Sequence, residues 1–334
     1  MSEIKVTEVK AKRKLFEALK KENQLAREGK IFEKRKLHST GLLGLDLATG
    51  GGYAEGSVVE VYGETKTGKT HLALAAVAAM QKKGEFCVYI DAERRLSEAR
   101  MMQLGVEVDD LIVINPETEE IAFDAMERYL QSAAIRLIVV DSLAVMLPEN
   151  SLNYSLGKGS IDEERERVIS EALSRLNPLI VESGTIVMFI THVRNNNGLK
   201  QGTTFTVGDD ALRYYASMQL ELIADNLIIS SKGETLGHKT NIFVRKNSTG
   251  TNDGQATLKI YPAGLSHDRE LMELGVKHRV ITRNGDWFMF GEVCLGATMV
   301  EVAEYLNNTE DKKHYREKIE GEIRRNERLT LKPA

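Results

Sequence analysis

The run Gly63-Glu64-Thr65-Lys66-Thr67-Gly68-Lys69-Thr70 constrains this chain more than any other segment. It fits the pattern G-x-x-x-x-G-K-[ST], a loop whose backbone N–H groups converge on a row of phosphates. The two glycines permit the tight turn, and Glu64, Thr65, Lys66 and Thr67 fill it. Lys69 has the length to reach β- and γ-phosphate oxygens, and the Thr70 hydroxyl is placed to ligate Mg²⁺. Such a motif needs a strand before it and a helix after it. Here Ser57 to Tyr62 reads as a short apolar strand and Lys69 to Lys82 as an Ala/Leu-rich helix, whose dipole adds positive charge at its start. The expected cofactors are ATP and Mg²⁺.

The surrounding sequence keeps the same rhythm. Apolar strands are predicted at 86–90, 111–114, 135–140 and 185–190, and helices at 97–104, 119–133 and 163–182. Continuous apolar strands alternating with helices imply an α/β fold with a mostly parallel sheet covered on both faces. After Tyr215 the pattern changes to β-hairpins, with strands predicted at 217–224, 226–230 and 240–246. Near Leu265 it changes again, to a small α/β unit.

A magnesium-phosphate site also needs an acid at the end of a buried strand. Leu137-Ile138-Val139-Val140-Asp141 supplies one, although an aspartate there also serves to cap a helix. Hydrolysis further needs a group that orients or deprotonates water. Glu93, in Tyr89-Ile90-Asp91-Ala92-Glu93, stands just beyond a strand end, where ligands of α/β sheets bind. Spacing alone suits Glu93 equally to a surface salt bridge.

Bulk properties narrow the class. At 334 residues the chain suits one large domain plus one or two small ones. Its 42% apolar and 28% charged content is that of a soluble globular protein. No run approaches the roughly 18 apolar residues of a membrane span, so no membrane partner is expected. Cys87 and Cys294 lie far apart, which implies neither a disulfide framework nor a metal cluster; a cytoplasmic location is expected. The net charge of −4 conceals an asymmetry, because residues 1–37 hold twelve Lys/Arg against six Glu. That segment reads as a basic helix with a narrow stripe of Leu15, Phe16 and Leu19. It is equally a solvated face or a contact for a polyanion or partner.

The residues in this order resemble the RecA family of homologous-recombination ATPases. The likeness is carried by His38-Ser39-Thr40-Gly41-Leu42-Leu43-Gly44-Leu45-Asp46, Tyr89 to Glu93, Ile138 to Ser142, Ala211-Leu212-Arg213-Tyr214-Tyr215-Ala216-Ser217 and Glu273-Leu274-Gly275-Val276-Lys277. It is collinear over about residues 35–308. It implies a RecA-type P-loop ATPase core with an N-terminal helix and a small C-terminal α/β domain. The implied division is a basic polymerisation segment at 1–36, a core with DNA-binding loops at 37–264, and a C-terminal domain at 265–334. The implied activity is DNA-dependent ATP hydrolysis coupled to homologous pairing and strand exchange. The implied partners are single- and double-stranded DNA and further copies of the chain in a helical filament.

The resemblance also implies roles for individual residues. Glu93 becomes the catalytic carboxylate, and His192 a γ-phosphate sensor at a position where bacterial members carry glutamine. Two DNA-facing loops follow, near 150–162 with Lys158 and Ile161, and from Arg194 to Asp210. Arg194 and Lys200 would meet phosphates and Leu199 or Phe205 would wedge between bases; Arg167 joins this DNA-binding set. A γ-phosphate contact at His192 could order the loop that follows it. Arg100 stands where bacterial members stack a tyrosine on adenine. Lys246 matches one of two lysines that reach a neighbour's ATP, and Ser248 replaces the other. Asp209 and Asp210 replace Gly-Asn and should repel the DNA backbone. The last residues are basic (Arg324, Arg325, Arg328, Lys332) in place of an acidic tail. These departures mark a divergent member, and a histidine at 192 resembles some phage-encoded recombinases. The alternatives are a RecA-fold helicase-type motor or regulatory ATPase, and a scaffold that binds ATP without turnover.

Overall fold

The computed structural model describes residues 35–150, 161–193, 209–230, 233–250, 252–307 and 310–330. The expected basic helix before residue 35 and most of both expected DNA loops therefore lie outside the described residues.

The first described elements are β1 (Leu37–His38), α1 (Leu43–Thr49) and β2 (Tyr53–Ala54), followed by β3 (Ser57–Gly63) and α2 (Lys69–Gln81). Next come β4 (Phe86–Asp91), α3 (Glu98–Gln103), β5 (Leu111–Ile114), α4 (Glu119–Ser132) and β6 (Ile135–Asp141). Then follow α5 (Ile161–Ser183), β7 (Ile186–His192), α6 (Asp209–Tyr215), β8 (Met218–Ile229) and β9 (Thr235–Asn247). Nine strands form one sheet in the order β11-β10-β9-β8-β3-β7-β6-β4-β5, where β10 is Gln255–Tyr261 and β11 is Gly264–Leu265. From β8 to β5 the neighbours run parallel; β9, β10 and β11 extend the sheet antiparallel. The expected mostly parallel sheet with an antiparallel edge is what forms.

Period-two alternation sends each central strand to two cores at once. Val59, Val61, Tyr89, Leu137, Val139, Met188 and Ile190 pack with α2. Val58, Val88, Ile90, Ile138, Val140, Val187 and Phe189 pack on the other face with α4 and α5. Helix α2 is buried nearly all round from Leu72 to Met80, which explains why its sequence is apolar on every side. A buried ion pair ties α5 to α4: Arg165 Nε lies 2.9 Å from Glu119 Oε1 and its Nη2 donates to the Leu143 carbonyl at 2.8 Å.

The hairpin region departs from expectation. Instead of separate strands at 217–224 and 226–230, β8 runs unbroken through both. The polar pair Asp225-Asn226, which reads as a turn, sits in a register shift between Ala224 and Leu227. A bulge absorbs the one extra residue without ending the strand. Asp225 is held across it by Lys239 at 2.7 Å and by Asn241 Nδ2 at 3.2 Å. The actual reversal follows Ser230, whose N–H donates to the Glu234 carbonyl at 2.8 Å. Strand β10 was not anticipated, although Ala256 and Leu258 alternate inward along it.

A third cluster is built from α7 (His267–Lys277), the three-stranded sheet β12 (Thr282–Asn284), β13 (Trp287–Phe290) and β14 (Val293–Gly296), α8 (Met299–Asn307) and α9 (Glu310–Thr330). Leu271, Ile281, Phe288, Leu295, Val302, Leu306, Ile319 and Ile323 fill it. Glu270 joins α7 to α1 by accepting the N–H groups of Leu43 at 3.1 Å and Gly44 at 2.9 Å. Burial pushes its carboxyl up to about 7, against those two amides. The folded state therefore binds this proton more tightly than the unfolded chain. Its stabilising contribution is full below the ordinary carboxylate range and is lost as pH rises through about 7. Glu270→Gln is expected to flatten the pH dependence of thermal unfolding between pH 5 and 8; an unchanged profile would contradict this linkage.

Candidate active site

The phosphate loop lies at the carboxyl ends of the central strands, where α/β sheets hold their ligands. Gly63 ends β3 opposite His192 of β7 and Leu222 of β8. A Cβ on Gly63 would collide with the Leu222 carbonyl, and one on Gly68 would come within 2.5 Å of Ile260 Cδ1. Gly68 also has φ +91°, a backbone conformation that favours glycine there. Glu64, Thr65 and Lys66 are exposed on the loop crest, whereas Thr67 and Lys69 are buried. Lys69 Nζ donates to the carbonyls of Gly63 at 2.9 Å and Glu64 at 2.7 Å. Burial pulls the Lys69 ammonium down to about 8, with Asp141, Glu93 and Glu64 opposing.

Asp141 sits at the end of β6, in register with Asp91 of β4. Its Oδ2 accepts from the Thr70 hydroxyl at 2.8 Å and from the Tyr89 phenol at 2.8 Å. Burial pushes the Asp141 carboxyl up against both hydrogen bonds, and the nearby Glu93 and Asp91 push it further.

Glu93 follows β4 and is gripped on both carboxylate oxygens. Oε1 accepts from the Ser142 hydroxyl at 3.0 Å and lies 3.0 Å from His192 Nε2; Oε2 lies 3.0 Å from Arg95 Nη1. Burial pushes this carboxyl up, but the hydrogen bonds from Ser142 and His192 and the charges of His192 and Arg95 outweigh it. The group is held below the usual carboxylate range.

These groups face one cavity of about 1030 Å³, lined by Thr65, Lys66, Gly68, Lys69 and Thr70 on the loop side and by Glu93, Asp141 and His192 opposite. Arg100 of α3 lines it too, as do Tyr261, Pro262 and Gly264 from the β10–β11 turn. A cavity of this size suits a nucleotide triphosphate.

Other expected residues lie elsewhere. Lys246 is on β9 opposite Gln219; its Nζ donates to the Arg213 carbonyl at 3.0 Å and it does not line this cavity. Arg167 is half exposed on α5 and pairs with Glu164 at 2.7 Å and Glu171 at 2.9 Å on its own helix. Asp210 is exposed on α6. Lys158, Arg194, Leu199, Lys200 and Phe205 lie outside the described residues, as do the side chains of Ile161 and Asp209.

Sequence reasoning missed four contributors. Tyr89 was assigned only to a strand, yet its alternation with Ile90 points it to the α2 side, where Asp141 Oδ2 lies. Ser142 and Arg95 flank the two carboxylates by one and two residues. His71, next to Thr70, is pulled down to about 4 by burial and by Arg100, so it lines the cavity as a neutral imidazole.

Comparison with known proteins points one way. A family model described as the RecA N-terminal domain matches residues 17–266. Protein RecA of Rickettsia prowazekii is 35% identical over 271 residues, covering 80% of this chain and 79% of its own. Protein RecA of Rhodospirillum rubrum is 34% identical over 306 residues, covering 91% and 82%. Among solved structures, the crystal structure of the RadB recombinase covers 69% of this chain and 98% of its own, with TM-score 0.51 and 22% identity; that likeness is one of fold.

Proposed function

The chain belongs to the RecA family, a recombinase-type ATPase family, and from that premise we propose that it is an ATP-dependent DNA recombinase. In this reading it polymerises on single-stranded DNA and pairs that strand with a homologous duplex. The observation that carries the proposal is the meeting of the phosphate loop, Asp141 and the Glu93–His192 pair around one cavity. His192 ends the strand that leads directly into the segment beginning at Arg194, so one residue stands between the phosphate site and the proposed DNA loop.

Each residue then has a role. The loop amides and Lys69 hold the β- and γ-phosphates. The Thr70 hydroxyl and the Asp141 carboxylate, 2.8 Å apart, are hard oxygen donors of the kind magnesium takes. When bound there, Mg²⁺ would supply positive charge against that of the phosphates. Glu93 orients the attacking water and accepts its proton. His192 senses the γ-phosphate. To reach it, the Nε2 would leave Glu93 Oε1, and the departure would change the end of β7 where the DNA loop starts. Lys246, turned away from its own chain's cavity, would serve the ATP of a neighbouring copy. Arg100, beside the neutral His71, would stack on the base. Lys158, Ile161, Arg167, Arg194, Leu199, Lys200 and Phe205 would contact DNA, residues 1–36 would join copies, and residues 265–334 would form a C-terminal domain on the 37–264 core. Among the described residues no helix is long and apolar enough to cross a membrane.

ATP turnover measured with and without single-stranded DNA across a salt series tests this reading. Stimulation of at least about tenfold that fades with salt is expected, because phosphate contacts release counterions. Equal turnover without DNA would instead favour a regulatory ATPase, and duplex unwinding a motor.

A further inference from the structure

We propose that Arg95 is a catalytic residue of ATP hydrolysis, leaving Glu93 to bind the γ-phosphate of the ATP held by its own chain. The inference rests on the reading of Glu93 as the base that serves the attacking water.

Its ground is the arrangement of the Glu93 carboxylate. Oε1 is turned inward to Ser142 and His192. Oε2 is covered by Arg95 Nη1 at 3.0 Å, and the Arg95 side chain is 81% exposed while that of Glu93 is 13% exposed. Arg95 lines the same cavity as Lys69 and Thr70. The backbone beneath it is fixed: the Arg95 N–H donates to Asp91 Oδ1 at 3.2 Å and that of Leu96 to Asp91 Oδ2 at 2.9 Å. The Ala92 N–H donates to the Asp141 carbonyl at 2.9 Å. A rigid turn thus carries a long cation that is free to swing.

With Arg95 Nη1 at 3.0 Å, the guanidinium competes with water for Oε2. An exposed ion pair is a weak restraint, whereas a triphosphate brings several negative charges into the cleft. A water between Glu93 and the γ-phosphorus sits within roughly 3 Å of each, so the phosphate oxygens lie a single side-chain swing from Oε2. In the reacting step the water oxygen forms its bond to the γ-phosphorus and passes a proton to the Glu93 carboxylate. The bond from the γ-phosphorus to the bridging oxygen breaks, its electron pair stays on ADP, and the proton later leaves Glu93 for solvent. Arg95 meets the charge on the equatorial γ-oxygens with two N–H groups in one plane, which a lysine cannot reproduce. One movement therefore uncovers the base and supplies a cation where charge accumulates.

The test uses the full chain with single-stranded DNA, Mg²⁺ and the variants Arg95→Ala, Arg95→Lys and Glu93→Gln. Arg95→Ala is expected to turn over about 100-fold more slowly, with ADP affinity changed by less than about threefold. It should lose the capacity to trap ADP with aluminium fluoride and should regain part of its rate when guanidinium ion is added. Arg95→Lys should stay at least about tenfold below the parent. If Arg95→Ala turns over within about twofold of the parent while Glu93→Gln is inactive, Arg95 has no catalytic role and Glu93 keeps its own. A slow Arg95→Ala chain that still traps ADP–aluminium fluoride as the parent does would make Arg95 a positioning residue only, overturning the proposal. Sustained turnover by Glu93→Gln would remove the underlying reading and the proposal with it.

Discussion

Glu93→Gln is expected to bind ATP as the parent chain does and to hydrolyse it about a thousandfold more slowly, the span that general-base catalysis commands. Glutamine preserves the shape that receives the Ser142 hydroxyl and fills the same space beside His192. It cannot accept a proton from water. The separation of binding from turnover is the informative part, because a structural loss would reduce both. Rapid-quench measurement of a single turnover, alongside equilibrium nucleotide binding, separates the two. A variant that hydrolyses ATP at near-parental rate would place the base elsewhere in the cavity, with Asp91 the next candidate.

Lys69→Ala should abolish turnover to the limit of detection and weaken ATP binding at least about 100-fold, since it deletes a buried cation aimed at the phosphates. Its ammonium donates to the Gly63 and Glu64 carbonyls, and triphosphate binding would draw it onto phosphate oxygens. Because burial brings this group down to about 8, the ligand-free chain loses the ammonium as pH rises through that value. The parent's ATP affinity should therefore decline above pH 8, and binding at higher pH should take up a proton. The alanine variant should show neither effect beyond the titration of ATP itself. Calorimetry in two buffers of different ionisation enthalpy reads the proton uptake; equal apparent enthalpies at pH 9 would contradict the assignment.

The parts of this site that were legible in the sequence are those written in contiguous residues. The phosphate loop between a strand and a helix, and Asp141 after four buried apolar residues, are local patterns with local causes. Glu93 was visible as a position, but its partners were not. Ser142 reaches it only because β4 and β6 run side by side with Asp91 opposite Asp141, and that register is a property of the sheet; Arg95 reaches it within one turn whose shape is set by hydrogen bonds to Asp91. The cavity wall from Tyr261 to Gly264 was illegible for the same reason: β10 comes to the phosphate loop by antiparallel extension of the sheet, and Ile260 packs on Gly68. The bulge at Asp225 shows the opposite failure. A polar pair signals a turn locally, yet cross-strand bonds from Lys239 and Asn241 hold it within a strand.

The Glu270 carboxylate at the start of α1 has a consequence for which anions this protein can bind. A helix start attracts negative charge through its unpaired N–H groups. At α1 those of Leu43 and Gly44 are already answered by the Glu270 carboxyl, 227 and 226 residues along the chain. At α2 no side chain caps the start, and Lys69 stands beside it. Inorganic phosphate or sulfate should therefore compete with ATP at the second port and find the first one plugged by the chain's own carboxyl oxygens. Selectivity among like-charged solutes is thus decided partly by where the protein has spent its own carboxylate.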